Sequence, residues 1–334
     1  MQRRVFLIQA AVMFAEGRFE AIGKLLKKLA KENGIASAVL AVKQKGAVET
    51  FSFGSVNKDS VFLLASITKP MTAVGVMKLV ERGELRLSDP VRKYVPEFRH
   101  ERVLVKHLLS HTSGLPDMLP ENEELRKRHA PLQDFVAGAC RTPLLFEPGR
   151  QLRYQSMGIL LAAEIVERLT KQKLSDFLKE ILFRPLKMER SSLGLWGRNI
   201  RDTVRSQLRS ASDWDWNSAY WRNLAAPWGG GFASAGDVVR LLEYFLTPDE
   251  RVLRPETALS MIGDQNAGLD KAWGIGWGVE RRKRTFGHSG STGTLCWAHP
   301  GTKTSFVLLT GKPADESNAT VLTPVSDAAY RSLT

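Results

Sequence analysis

The chain has 334 residues, of which 43% are hydrophobic and 25% are charged, and this fits a soluble globular protein of one large domain or two intertwined domains. Its formal net charge of +13 is scattered along the sequence without a basic stripe or a recognisable module, so we expect a solvated surface and no nucleic-acid partner. The two cysteines, Cys140 and Cys296, are too few for a disulfide framework and do not have the spacing of metal ligands, so the sequence predicts no metal site.

The first residues of the chain resemble a signal peptide, with a basic end and a short apolar stretch up to Phe14. However, Gln9 interrupts the stretch and no small-residue cleavage site follows it. We therefore expect an N-terminal helix that continues over residues 20–26, and we favour a cytoplasmic location over a secreted or periplasmic one. No segment approaches the length needed to span a membrane.

Strand patterns lie at both ends of the chain and helical patterns lie between them. Residues 35–42 and 47–53 are β-rich runs on either side of Lys43-Gln-Lys-Gly, which is a hairpin signal. Four more strands are predicted at residues 274–280, 284–288, 294–299 and 305–310. The predicted helices span residues 66–83, 103–110, 132–140, 158–169, 174–183 and 235–245.

The two ends must therefore pair across the helical middle. This predicts an α+β fold in which residues 1–64 and 271–334 build one antiparallel sheet that is flanked by the terminal helices. Residues 65–270 then form an inserted, mainly helical domain. A cleft between the two layers is where we expect a site.

Ser66 and Lys69 form the most informative pair, because residues three apart meet on one face of a helix. An apolar helical pattern follows them, and Pro70 is tolerable because it falls in the first turn. Ser66 should therefore stand at a helix N-terminus, where the local dipole favours an alkoxide and an uncharged amine. A second S-x-x-K, at Ser55 and Lys58, lies in a polar turn with no apolar helix behind it, and we interpret it as chance.

Tyr154 and Ser156 form a second candidate cluster. Pro148-Gly149 forces a turn before them, so both fall on the loop that feeds the next helix. A phenol near a lysine can lose its proton more readily than in water and then serve as a second base or a proton relay. Taken alone, Tyr154 is more often a half-buried tyrosine with a hydrogen-bonded hydroxyl.

The third cluster is His288, Gly290 and Ser291, where a strand ends in a glycine-rich bend. Gly290 would let a ligand approach the strand edge, so that the Ser291 N–H could join the Ser66 N–H in holding an oxyanion. His288 would face the cleft as a hydrogen-bond donor or a polar wall. The competing interpretation is a strand histidine whose hydrogen bonds are satisfied within a hairpin.

The order and rough spacing of the three clusters resemble the serine β-lactamase-like superfamily, which joins class C β-lactamases, D-alanyl-D-alanine carboxypeptidases and family VIII carboxylesterases. Residues 107–116, 147–149 and 229–237 are similar to segments common in that family, and the resemblance extends from about residue 35 to residue 311. It implies that Ser66 is the acylated nucleophile, Lys69 its base partner and Tyr154 the phenol that relays protons. It also implies that the N–H groups of Ser66 and Ser291 form the oxyanion hole.

Two positions depart from the pattern of the β-lactamases in this family. Ser156 stands where asparagine is usual, and it offers no amide to hold a substrate carbonyl. His288 stands where a lysine usually anchors a substrate carboxylate, and a histidine is only partly charged near neutrality. Both departures favour an esterase over a lactamase.

Two further groups of side chains have alternative interpretations. One set of indoles either overhangs the cleft as an apolar wall or packs within the helical layer: Trp214, Trp216, Trp221 and Trp228. Another set lacks an apparent acidic orienter and is interpreted as loop scaffolding: His107, Ser110, His111 and Ser113.

The sequence therefore predicts a serine hydrolase that acts through a covalent acyl-enzyme and needs no metal or organic cofactor. Its expected partner is a small acyl substrate, either an ester, a β-lactam or a D-amino-acid peptide. A β-lactamase or D-amino-acid peptidase, an acyltransferase, and a non-catalytic penicillin-recognising or assembly protein stay open as alternatives. The oligomeric state is unknown.

Overall fold

The computed structural model describes residues 17–333. The part of the expected N-terminal helix that precedes residue 17 lies outside the described residues. Its predicted continuation over residues 20–26 is present as helix α1, Glu20–Glu32. Within the described range, no helix is both long enough and apolar enough to cross a membrane.

The main sheet is antiparallel and joins both ends of the chain, as the strand patterns predict. Its strands are β1 Ser37–Gln44, β2 Ala47–Gly54, β6 Gly278–Glu280, β7 Thr285–Gly290, β8 Thr294–His299 and β9 Thr304–Thr310. They are ordered β2-β1-β9-β8-β7-β6, so that β1 pairs directly with β9. Lys45 and Gly46 both have positive φ, which is what a two-residue hairpin turn between β1 and β2 requires.

Apolar side chains alternate between the two faces of this sheet. On β1, Leu40 and Val42 join an outer cluster with α1 and the C-terminal helix, whereas Val39 and Ala41 join the larger inner cluster. The outer face is therefore covered by the terminal helices, as expected. The inner face packs against the helical middle of the chain and carries the larger part of the core.

The helices of the middle surround α2. Their bounds, with those of the C-terminal helices, are α2 Thr68–Glu81, α3 Val105–Leu109, α4 Asn122–Lys127, α5 Leu132–Arg141, α6 Met157–Thr170, α7 Leu174–Leu178, α8 Ala219–Asn223, α9 Ala235–Leu246, α10 Pro255–Ile262, α11 Ala314–Ser317 and α12 Thr323–Arg331. Helix α2 packs on α6 and α7 and is buried on nearly all sides. It is therefore a rigid central support for any side chain at its start.

Three features differ from the sequence-based expectation. The predicted strand 274–280 is limited to Gly278–Glu280, because Gly276, with φ +78°, lies so close to α2 that an added Cβ would be 2.6 Å from Ala73 Cβ. Helices α4, α8 and α10 were not predicted, because they are too short and too mixed in polarity to show a clear helical period of apolar residues. A small sheet of β3 Phe62–Leu63, β5 Gly231–Ala233 and β4 Ser192–Leu193 joins segments that are distant in sequence.

Candidate active site

Ser66 lies in a tight turn between the small sheet and helix α2. The turn is a 3-10 helix, Ala65–Ile67, and it is anchored by the Leu64 N–H, which donates to the Gly231 carbonyl at 2.8 Å. Ala65 has φ +47°, a left-handed conformation that is costly for a residue with a side chain. Ser66 is consequently presented at the start of α2, where N–H groups have no acceptor within the helix.

Lys69 lies beneath Ser66 on the same helical face. Its Nζ is 2.9 Å from Ser66 Oγ and donates to the Trp228 carbonyl at 3.0 Å, and its side chain is fully buried. Burial lowers the pKa of Lys69 from 10.5 to about 7, although the charge of Asp117 acts in the opposite direction. A large fraction of this amine is therefore neutral near pH 7 and can accept a proton from the serine hydroxyl.

Tyr154 covers Lys69 from the other side of the site. The ring centroid lies 4.7 Å from Lys69 Nζ, and the ring also contacts His111 and Trp273. Burial raises the pKa of Tyr154 above its ordinary value, even though a hydrogen bond with Ser66 lowers it. The expectation that the phenol loses its proton more readily than in water is therefore wrong for the resting site, because desolvation raises the pKa of Tyr154.

Ser156 binds a carboxylate that the sequence did not point to. Ser156 Oγ donates to Asp117 Oδ1 at 2.6 Å, and the Ser156 N–H donates to the Asp117 carbonyl at 3.2 Å. Gln155, between the two motif residues, is directed inward and accepts a hydrogen bond from Ser113. Tyr154 and Ser156 therefore share one side of the loop, as predicted, and they bring Asp117 with them.

The bend after β7 contacts the turn that carries Ser66. A Cβ added at Gly290 would lie 2.3 Å from the Leu64 carbonyl oxygen and 3.0 Å from Ala65 Cβ, so the contact requires glycine. Thr292 Oγ1 and Thr294 Oγ1 donate to the carbonyls of Leu63 and Leu64, which lead to Ser66, at 2.7 and 2.8 Å. This places Ser291, which is exposed to the cleft, beside the start of α2.

His288 lines the cleft but is not partly charged, contrary to expectation. Burial, with the nearby charge of Lys69, lowers the pKa of His288 to about 3. Its Nδ1 is 2.8 Å from the Ser289 carbonyl, so Nδ1 carries the proton of a neutral ring and donates it to that oxygen. The ring is therefore a neutral wall that supplies no positive charge to the cleft.

The residues interpreted as scaffolding bond within their own loop or to Gln155, in the loop that carries Tyr154. His107 Nδ1 accepts from the Leu104 N–H, and Ser110 Oγ donates to the Lys106 carbonyl. His111 is fully buried; its Nδ1 accepts from the Gln155 N–H at 3.3 Å. Its ring packs directly behind Tyr154, with centroids 4.6 Å apart, so this histidine also fixes the phenol.

None of the four tryptophans that were interpreted either as a cleft wall or as packing within the helical layer lines the cleft. Trp221 and Trp228 are buried in the main core, and Trp214 and Trp216 line a separate depression of about 350 Å³. Instead, Trp273 forms the aromatic side of the cleft next to Tyr154. Its only sequence signal is its position in a glycine-rich segment, residues 272–278, where small neighbours allow an indole to project from an irregular backbone.

These elements enclose a cleft of about 700 Å³. Its lining includes Ser66, Asp117, Tyr154, Ser156, Trp273, Glu280, His288 and Ser291. Among the described residues, no three His, Cys, Asp or Glu side chains are grouped so that they could hold a metal ion. The arrangement offers a hydroxyl next to a partly neutral amine and a neutral phenol, a set that can carry out acyl transfer.

Comparison with known proteins gives a consistent result. The family model described as Beta-lactamase matches residues 22–330. "Protein flp" of Staphylococcus aureus (strain N315) is 24% identical over 323 residues, which cover 88% of this chain and 61% of that protein. "Penicillin-binding protein 4*" of Bacillus subtilis (strain 168) is 33% identical over 177 residues, which cover 49% of this chain and 39% of that protein. The chain thus spans only part of the length of these curated relatives.

Two solved structures share the fold. "EstCE1, a hydrolase with promiscuous acyltransferase activity" superposes with a TM-score of 0.81 at 20% identity and covers 95% of this chain and 100% of that chain. The D-amino acid amidase from Ochrobactrum anthropi SV3, complexed with L-phenylalanine amide, has a TM-score of 0.77 at 21% identity, with 95% and 97% covered. At these identities the similarity establishes the fold alone.

Proposed function

The chain belongs to the Beta-lactamase family, and we propose that it is a serine hydrolase that cleaves acyl substrates through a covalent intermediate on Ser66. The observation that carries the proposal is the buried Lys69 amine 2.9 Å from Ser66 Oγ, with its pKa lowered to about 7. A serine hydroxyl is a weak nucleophile at neutral pH unless a base next to it takes its proton. Lys69 is that base.

Acylation begins when the Ser66 oxygen bonds to the substrate carbonyl carbon and its proton passes to Lys69 Nζ. The carbonyl π electrons move to oxygen, and the N–H groups of Ser66 and Ser291 hold the resulting negative charge. When the carbonyl re-forms, the bond to the leaving alcohol breaks. Tyr154 donates its proton to the departing oxygen and recovers one from protonated Lys69, which is consistent with the raised pKa of the phenol.

Deacylation repeats these steps with water in place of the alcohol. A water oxygen bonds to the acyl carbon and its proton is taken through Tyr154 to Lys69. The ester bond to Ser66 then breaks, the carboxylic acid leaves, and Ser66 regains a proton. The cycle consumes one ester and one water, and it needs no other reactant.

Esters are the proposed substrates in preference to β-lactams. A penicillin carries a carboxylate, and His288 is neutral where a lysine would supply an anchoring charge. We further propose that the sheet formed by the two chain ends and the inserted segment 65–270 act as two walls of the cleft. EstCE1 is a hydrolase with promiscuous acyltransferase activity, and transfer of the acyl group to an alcohol is an alternative fate of the same intermediate in this chain.

Hydrolysis of p-nitrophenyl butyrate by the wild-type chain and by Ser66→Ala tests the proposal. We expect Ser66→Ala to lower kcat/KM by roughly a thousandfold or more. Ser55→Ala is the matched control, since Ser55 heads the other S-x-x-K in the chain and is exposed. Retained hydrolysis in Ser66→Ala, or an equal loss in Ser55→Ala, would refute the assignment.

A further inference from the structure

A second cavity, separate from the active cleft, lies between the end of helix α7 and strand β4. Its volume is about 430 Å³, within the range of cavities that hold small organic molecules. It is bordered by a helical turn, Lys179–Phe183, and by the segment that follows strand β4 as far as Arg198. None of the residues that line it also lines the active cleft. We call it the Arg198 cavity.

The floor of the Arg198 cavity is apolar. Phe183, Met188 and Leu195 belong to its lining, and all three side chains are buried in the main core. The Met188 N–H donates to the Phe183 carbonyl at 2.8 Å, which fixes the backbone between two of these side chains. The floor therefore offers a concave apolar surface to the uncharged part of a ligand.

The lining also carries positive charge that no carboxylate balances. Lys179, Arg184 and Arg198 line this cavity. Lys187 and Glu189 line it as well, but they have opposite charges and border a neighbouring depression. Within residues 17–333, none of the first three cations takes part in an ion pair. Because like charges around a concave surface reinforce one another, the cavity attracts anions.

The Arg198 guanidinium is held in a fixed orientation. Its Nη1 donates to Ser192 Oγ at 2.9 Å and its Nη2 donates to the Arg190 carbonyl at 3.0 Å. A guanidinium has more N–H groups than these two bonds use, so the others stay available to a ligand. Burial, with the nearby charge of Arg190, lowers the pKa of Arg198. By contrast, contact with Glu97 raises the pKa of Arg168, so Arg198 lacks the carboxylate contact that Arg168 has.

Trp196 forms one wall of the cavity in a strained conformation. The turn from Leu195 to Arg198 is closed by a backbone hydrogen bond of 2.9 Å, and its central residues, Trp196 and Gly197, have φ of +49° and +81°. Such a turn ordinarily carries glycine, asparagine or aspartate at both central positions, and a bulky side chain there is unfavourable. The Trp196 side chain is 47% exposed, with Lys179 Nζ 3.3 Å from its ring centroid. Strain retained at an exposed indole indicates a function for that side chain.

We propose that the Arg198 cavity binds a small organic carboxylate with an apolar body. The planar guanidinium of Arg198 pairs with both oxygens of the carboxylate, the Lys179 amine adds a second positive charge, and the body covers the apolar floor. The site uses neither Ser66 nor Lys69. It therefore goes beyond the proposed function and does not depend on it.

Two other anionic occupants fit the cavity less well. A free phosphate would leave the apolar floor uncovered. A lipid bilayer would reach the exposed Trp196 side chain but not the buried side chains of Phe183, Met188 and Leu195. A carboxylate with an apolar body matches both the charge and the floor.

Isothermal titration calorimetry with phenylbutyrate tests the proposal, and phenylbutanamide is the neutral probe of nearly the same shape. We expect saturable binding of phenylbutyrate at one site per chain, and binding of phenylbutanamide and of inorganic phosphate that is weaker by about fivefold or more. Ser66→Ala should bind phenylbutyrate as the wild type does. Absence of saturable binding, equal affinity for the amide or for phosphate, or loss of binding in Ser66→Ala would overturn the proposal.

Substitutions in the lining locate the bound carboxylate. Arg198→Gln and Lys179→Gln should each weaken phenylbutyrate binding by about threefold or more. The matched control is Arg201→Gln, which removes the charge of an exposed arginine outside the lining and should stay within about twofold of wild type. Lys179→Gln decides the question even where Arg198→Gln lowers the melting temperature, because the Lys179 amine contacts the Trp196 ring and holds no backbone carbonyl in the described range. An unchanged affinity in Lys179→Gln, or an equal loss in Arg201→Gln, is the contrary result.

Trp196→Asn separates binding from folding. Asparagine adopts left-handed φ readily, so we expect the melting temperature to stay the same or rise. The affinity for phenylbutyrate should nevertheless fall by about threefold or more, because one apolar wall is lost. Unchanged affinity would refute the role of Trp196. Co-sedimentation with phosphatidylglycerol vesicles that Trp196→Asn abolishes, without saturable phenylbutyrate binding, would assign this surface to a lipid bilayer and overturn the proposal.

Discussion

The pH dependence of ester hydrolysis follows from the burial of Lys69. Only the neutral amine can accept the proton of Ser66, so kcat/KM should fall as the pH falls through the pKa of Lys69, about 7. With that value, about half of the enzyme is competent at pH 7 and roughly one-tenth at pH 6. We call this fall in kcat/KM towards low pH the acidic limb of the pH profile. His111 and His288 do not account for the acidic limb, because burial lowers the pKa of each of them well below neutrality.

Asp117→Asn should displace this limb in a defined direction. The carboxylate favours protonated Lys69 and raises its pKa, so removing the negative charge lets the pKa fall and moves the limb to lower pH. A unit charge that lies near the Lys69 amine without contacting it, at an effective dielectric constant of about 20 to 40, stabilises the protonated amine by on the order of 1 kcal/mol. This energy corresponds to a displacement of the limb by roughly 0.7 pH unit.

The assay is hydrolysis of methyl butyrate, a neutral ester, followed by chromatography of butyrate between pH 5 and 9 at constant ionic strength. Glu280→Gln is the charge-matched control, and we expect its limb to lie much closer to that of wild type. A wild-type rate that does not change between pH 6 and 8, or a limb that moves to higher pH in Asp117→Asn, would refute the assignment of Lys69 as the base.

Three further substitutions test separate parts of the site. Tyr154→Phe should slow hydrolysis of an ethyl ester by about a hundredfold or more but slow a p-nitrophenyl ester much less, since nitrophenolate leaves without a proton; equal losses would argue against a proton-donating phenol. Lys69→Met should abolish turnover yet raise the free energy of unfolding by about 2–4 kcal/mol at pH 7. The pKa displacement from 10.5 to about 7 corresponds to roughly 5 kcal/mol, and the unpaired Trp228 carbonyl offsets about 1–3 kcal/mol of it. The folded-state pKa is depressed, so this gain is largest below pH 7 and fades as the pH rises towards 10.5; thermal melts at pH 7 and 10 that show equal shifts would contradict it. Gly290→Ala should displace β7 from the Ser66 turn and lower kcat/KM at least tenfold, whereas Gly236→Ala, whose added Cβ would find nothing closer than 3.9 Å, should be tolerated by both melting and rate measurements.

The sheet could be predicted because its strands repeat a strong local signal. On β1, the adjacent residues Leu40 and Ala41 point to opposite faces of the sheet, and Lys45-Gly46 forms the hairpin turn. The pairing of Ser66 with Lys69 was also predictable, since residues three apart on a helix are neighbours whatever the rest of the fold does. Local sequence rules therefore account for the frame of the site and for the Ser66–Lys69 pair that we propose as nucleophile and base.

Asp117 could not be found in this way, because its contact with Ser156 joins two loops through the tertiary fold. The protonation states of His288 and Tyr154 could not be predicted from the sequence either. The neutral ring of His288 and the raised pKa of Tyr154 are produced by burial, which many distant residues create together. The sequence left open whether Trp214, Trp216, Trp221 and Trp228 line the cleft or pack in the core. Trp273 lines the cleft instead, because the fold and not the local pattern decides which tryptophan faces it.

Trapping of the acyl group on the enzyme tests the central claim most directly. The wild-type chain, Ser66→Ala and Ser55→Ala are each treated with a fluorophosphonate probe and analysed by intact mass followed by peptide mapping. We expect one adduct in wild type and in Ser55→Ala, located on the peptide at Ser66, and none in Ser66→Ala. A label that persists in Ser66→Ala, or that maps to another residue, would contradict the role of Ser66 as the acylated nucleophile.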